Sequence, residues 1–163
     1  MTNKGLKVRE SFTELTPRIE GASTFLYPAL GPGTYFFLDE QMKTEEKSTI
    51  RQTTSLIESA WQNPTEKYSS EIIRILKDRW LWGSNGFLYV PENHGRLFSG
   101  IYVQDRPTIS GNEVIFDESE LAKKLEMKDP SVRHVEPGFA AGELPYKDFA
   151  KNKLVIAIAG EEG

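Results

Sequence analysis

The stretch 63–105, NPTEKYSSEIIRILKDRWLWG followed by SNGFLYVPENHGRLFSGIYVQD, constrains this chain more than any other. Tyr68, Ile72, Ile75, Leu76 and Trp80 recur at the spacing of a single helix face. Asn63 as N-cap, Pro64 at the first helical position and Glu66 three residues after the cap predict where that helix starts. Gly83 predicts where it stops, in the position just past the last turn. Two strands are expected next, over 86–90 and 99–104, around a Pro-Glu-Asn-His-Gly turn. Phe87 and Tyr89 fall on one face of the first strand, and Leu88 and Val90 on the other. Apolar residues on both faces predict a pair inside a sheet rather than at its edge. A helix laid across this hairpin is the expected packing centre.

Upstream, Val8, Phe12, Leu15 and Ile19 have helical spacing, broken at Thr16-Pro17, because a residue before proline avoids the α region. Residues 1–22 are therefore expected as a short helix or a loosely attached arm. Aromatic runs at 23–28 and 35–38, either side of Ala-Leu-Gly-Pro-Gly, read as a hairpin. The Gly31-Pro-Gly33 loop is turn chemistry. Phe36 stands where a dinucleotide fingerprint needs its third glycine, and a strand is expected after the loop. Residues 44–62 read as a helix with Ile50, Ile57 and Trp61 on one face and Glu45 and Glu46 near its start.

Downstream, 107–112 reads as a turn and 114–116 as a short strand. Asp117 with Glu120 makes a capping box for a helix over 118–127 that buries Leu121 and Leu125. A strand follows over 132–135, reached by a crossover or an antiparallel return. Residues 136–143 form a glycine-rich loop, and Pro145 opens a short helix ending near Lys151. The run Leu-Val-Ile-Ala-Ile-Ala at 154–159 is expected as an interior strand covered on both faces. Its closeness to the end of the sequence raises the question of a truncated C-terminus. This order predicts a single α+β domain over 1–163. Its expected core is a mixed β-sheet of about five to seven strands, with two or three main helices packed mostly on one face.

At 163 residues the chain has the length of one domain. The absence of cysteine removes disulfides, thiolate metal sites and cysteine nucleophiles, and suits a reducing compartment. The formal net charge is −4, with 11 Lys/Arg against 11 Asp/Glu in 1–80 and 9 against 13 in 81–163. Neither half carries a domain-scale basic footprint for nucleic acid. The longest apolar run, 154–159, is far short of the ~20 residues of a membrane span. The N-terminus, MTNKGLKVRESF, has no apolar core of a signal peptide. A soluble, cytoplasmic protein with no membrane partner is expected.

Residues that could carry chemistry are few. Glu92-Asn-His94 and His134-Val-Glu136 each place a histidine and a glutamate two apart, on one face of an extended chain. Brought together, the four would supply two imidazoles and two carboxylates, a divalent-metal set. The same spacing suits a turn residue at His94 and a half-buried strand residue at His134. No serine stands in a Gly-x-Ser-x-Gly elbow. Caps and solvated helix faces account for most of the carboxylates. No cofactor is indicated.

Trp80, Trp82, Phe87, Tyr89, Phe98 and Tyr102 interleave with Arg74, Lys77, Arg79, Arg96 and Arg106. That pattern suits single-stranded nucleic acid or an aromatic ligand, but an aromatic core under a helix explains it more simply. Trp82 lies about 200° around the helix from Trp80, so the two cannot share one core if helical geometry persists. One of them becomes a surface anchor, a common use of tryptophan. By elimination, the expectation is a non-catalytic binding or protein-interaction module using Trp82, Trp80, Arg96 and Tyr89 near the 91–98 hairpin tip. Its partner would be another protein or a second copy of the chain. The alternatives are a small enzyme or divalent-metal domain on His94, His134, Glu92 and Glu136, and a single-stranded nucleic-acid-associated protein.

Overall fold

The computed structural model describes residues 13–15, 25–27, 33–42, 47–66, 68–78, 83–138 and 145–160. Trp80, Trp82, Glu45, Glu46, the loop 139–143 and most of the arm expected over 1–22 lie outside them. Two short strands, β1 (Thr13–Leu15) and β2 (Phe25–Tyr27), pair antiparallel. Helices α1 (Tyr35–Gln41), α2 (Ile50–Gln62) and α3 (Ser69–Asp78) follow. Next come β3 (Asn85–Val90), β4 (Gly100–Asp105), β5 (Thr108–Ser110) and β6 (Glu113–Ile115). The chain continues through α4 (Glu118–Glu126), β7 (Val132–Val135), α5 (Tyr146–Phe149) and α6 (Lys153–Ala159).

The architecture is α+β. The described strands form three antiparallel sheets rather than one mixed sheet, and the largest, in the order β3-β4-β7, has three strands. Helices cover both of its faces, not mostly one as expected. On one, Leu121 and Ala122 of α4 pack with Val90, Leu97, Tyr102 and Val132, and Leu88, Phe116 and Leu125 close the edges. On the other, Ala157, Leu154 and Ile158 of α6 pack on Val103, Val135 and Ile101. Among the described residues, Tyr102, Leu121 and Val103 are the largest fully buried side chains. A fully buried Leu or Val contributes roughly 1.5–3 kcal/mol relative to exposure.

Several local expectations are corrected. Residues 35–38 are helical, because Thr34 caps α1 and its hydroxyl accepts from Phe37 N at 3.4 Å. The helix expected from 44 begins at Ile50, where Thr49 and Gln52 form a reciprocal capping box. Its Trp61 is 63% exposed, and the residues it buries are Thr53 and Ala60. Asn63 ends this helix instead of starting the next, since its backbone and side-chain N–H groups both bond Ser59 O, at 3.1 and 2.9 Å. The next helix therefore starts only at Ser69.

Residues 79–82, through which α3 is expected to reach Gly83, lie outside the described residues. At Gly83 itself the chain packs closely, since a Cβ there would come within 2.7 Å of Ile50 Cα. Residues 108–110 are a strand paired with β6, not part of a turn. The unit 114–116, α4, 132–135 forms neither a crossover nor a return within one sheet, since β6 pairs with β5 and β7 pairs antiparallel with β4. The run 154–159 is helix, set by Asn152, whose side chain accepts from Leu154 N and Val155 N at 2.9 and 3.4 Å. Finally, among the described strands β4 is interior to its sheet, whereas β3 lies at the edge.

Candidate functional site

Between β3 and β4 the chain makes a tip over 91–99 that is tied down along most of its length. His94 and Leu97 exchange backbone bonds, N to O at 2.9 Å and 2.8 Å, closing a tight turn over Gly95 and Arg96. Leu97 drops from that turn into the core. Asn93 Oδ1 accepts from Ser99 N at 2.8 Å, a side-chain bond that spans the tip. Arg96 N donates to Glu118 Oε1 at 2.6 Å, so the first turn of α4 supports the turn from beneath.

Tyr102 makes a double restraint. Its hydroxyl accepts from Phe98 N at 2.7 Å and donates to Phe98 O at 3.0 Å. Burial pushes the phenol pKa up, with the bond to Phe98 a smaller opposing influence. His134, the register partner of Tyr102 on β7, lays its ring against the phenol with centroids 4.6 Å apart. Its Nε2 lies 2.9 Å from Ser99 O. Gly100 makes room for this contact, since it holds φ at 138° and a Cβ there would meet His134 Nε2 at 2.6 Å.

The restrained backbone presents exposed side chains. Phe98 on the tip and Tyr89 on β3 are each 66% exposed. Arg96, Glu92, Asn93 and His94 are exposed as well. Of the residues expected to bind, Arg96 and Tyr89 are thus at the surface, and Trp80 and Trp82 lie outside the described residues. The four expected metal ligands are placed differently. His94 sits in the exposed turn, His134 is half-buried against Tyr102, and Glu92 and Glu136 are exposed. Among the described residues, no three His, Asp or Glu side chains are grouped to hold a metal ion.

Two of the cations expected beside the aromatics are engaged elsewhere. Arg74 pairs with Glu71 and Asp78 at 3.5 and 3.6 Å. Arg106 donates to Lys47 O at 2.7 Å and Gln52 Oε1 at 3.1 Å. Sequence reasoning missed Glu118 and the Tyr102 hydroxyl. The helix start at Asp117 was the one available pointer to a carboxylate in this region.

Among the described residues, no helix is long and apolar enough to cross a membrane. No protein family, curated protein or solved structure matches the chain.

Proposed function

We propose that this chain is a non-catalytic binding module that engages a protein partner through the tip between β3 and β4. The observation that supports it is exposure combined with restraint at one residue. Phe98 keeps its ring 66% exposed while its N–H and C=O are both held by Tyr102. An apolar anchor on a fixed backbone loses little conformational entropy on binding, which leaves more of the contact energy as affinity. Tyr89 and Arg96 add two side-chain types common at binding hot spots. Trp82 and Trp80 stay in the proposal as further anchors. The metal reading has less support, because among the described residues no three His, Asp or Glu side chains are grouped to hold an ion, so the binding reading is preferred. The cysteine-free composition supports placing the module in the cytoplasm.

The test is a double variant, Phe98→Ser with Arg96→Ala, compared with wild type for capture of partner from the native host. Both side chains are exposed, so the unfolding midpoint should hold. Affinity is expected to fall at least about tenfold, the loss typical of removing a hot spot. Unchanged capture by a folded variant would remove the tip from this reading.

A further inference from the structure

β3 has the sequence of an interior strand and the position of an edge strand. Among the described residues its one ladder partner is β4. The bond from Arg106 N to Ser84 O at 2.7 Å marks Ser84 and Arg106 as a hydrogen-bonded pair, one step beyond Asn85↔Asp105. Antiparallel pairs alternate, so Gly86, Leu88 and Val90 direct their backbone groups to β4. The N–H and C=O groups of Phe87 and Tyr89 therefore point outward from the sheet, and no backbone bond reaches them.

Edge strands are ordinarily kept unpaired by charge, proline or a bulge. Asn-Gly-Phe-Leu-Tyr-Val has no charge and no proline, and its register runs without a bulge. Leu88 and Val90 face the α4 side, while Phe87 and Tyr89 stand 47% and 66% exposed on the other.

We propose that a second copy of this chain pairs on this edge, β3 against β3, antiparallel about a twofold axis at Leu88. The result is one continuous six-stranded sheet. The choice of a second copy rests on self-complementarity in this register. Phe87 lies opposite the partner's Tyr89, and Tyr89 opposite the partner's Phe87, so the N–H and C=O groups of both residues are satisfied on each strand. The same register makes two aromatic cross-strand pairs, a favourable combination. No charge faces a like charge, because Gly86 meets the partner's Val90 and Glu92 meets the partner's Ser84.

Neighbouring registers do worse. A shift one way sets Tyr89 opposite the partner's Asn85, whose N–H already bonds Gly83 O at 3.0 Å. A shift the other way sets Phe87 opposite the partner's Pro91, which has no N–H. Tyr89 belongs to this surface and to the binding surface of the tip, but the pairing needs neither Phe98 nor Arg96.

The missing cysteine makes the test direct. A Leu88→Cys variant carries one thiol per chain, on the axis, in a non-hydrogen-bonded pair with Cα atoms about 4.5 Å apart. That separation is within disulfide reach. Mild oxidation is expected to give a covalent dimer, whereas Phe87→Cys and Tyr89→Cys, displaced from their own copies, are not. Wild-type protein in sedimentation equilibrium should double in mass as concentration rises. Tyr89→Pro removes an outward N–H without touching the β4 ladder, and should stay monomeric. If Leu88→Cys does not fold, the Tyr89→Pro comparison decides.

Wild type that is monomeric at every concentration overturns the proposal. So does a dimer that survives Tyr89→Pro, or one cross-linked faster through Phe87→Cys or Tyr89→Cys than through Leu88→Cys. Each of these results leaves the tip reading standing, because that reading is tested on Phe98 and Arg96.

Discussion

Arg133 holds Asp105 with two parallel contacts, Nη1 to Oδ2 at 2.7 Å and Nη2 to Oδ1 at 2.8 Å. Arg133 is registered opposite Val103, so Asp105 is its diagonal neighbour on the same face of the sheet. The pair reaches further on both sides. Arg133 Nε donates to Ala157 O at 2.9 Å, in the last turn of α6, where a cation is favoured. Asn85 Nδ2 donates to Asp105 Oδ1, and Asn85 Oδ1 accepts from Ile50 N at the start of α2, both at 2.7 Å. One ion pair thus clips two helix ends to three strands. Its side chains are only 15% and 17% exposed, so the contact is weakly screened.

Removing one partner strands the other. Arg133→Met is expected to lose about 3 kcal/mol of stability, as breaking a buried pair does. Urea unfolding measures this, and a double-mutant cycle with Asp105→Asn should show coupling well above about 0.5 kcal/mol. Additive losses would mean that the pair does not act as a unit.

The Tyr102 clamp makes a prediction at high pH. Its folded pKa is raised above the unfolded value of about 10. Stability from this group is then fully present below about pH 10 and lost as pH rises through the folded pKa. Tyr102→Phe should lose about 1–2 kcal/mol at neutral pH and show a smaller further loss in alkali. Amide exchange at Phe98 should quicken in the same variant. An unchanged rate would show that the hydroxyl does not hold the tip.

Asp129 gives the opposite sign. Its carboxylate accepts from Ser131 N at 2.8 Å in the turn from α4 to β7, which holds its pKa below the ordinary carboxylate value. The contribution is present above about pH 4 and disappears as pH falls through the folded pKa. Asp129→Asn should therefore lose less stability than wild type between neutral and strongly acidic pH. Parallel acid titrations of the two proteins check this.

At Gly100 the limit is steric. Alanine would have to hold φ at 138° and place its Cβ against the Val135 carbonyl and the His134 ring. Gly100→Ala is expected to cost about 3 kcal/mol or more, strain and displacement together. A thermal midpoint within a degree or two of wild type would contradict this geometry.

Legibility in the sequence followed how many local signals agreed. The start of α4 is legible because Asp117 precedes an amphipathic run, and its side chain does accept from Glu120 N at 2.8 Å. The β3–β4 hairpin is legible from its alternation around a turn of Pro, Asn and Gly. The run at 154–159 is not, because six apolar residues suit a buried strand or a buried helix alike. Only Asn152, just ahead of it, separates the two. Asn63 misled for a related reason, since asparagine serves at either end of a helix. The site shows the same division. The tip is visible as a turn, but its tethers run from side chains to backbone over 4 and 22 residues. Register and helix docking decide contacts of that kind, and neither can be read from spacing.

The central claim is that the exposed residues of the restrained tip form the binding surface. A photo-crosslinking residue placed at Phe98, against one at the exposed Lys123 of α4, tests it most directly. In the native host the account predicts a discrete adduct from Phe98, absent from Lys123 and lost when Tyr102→Phe loosens the tip. Equal labelling from both positions, or none from Phe98, would contradict it.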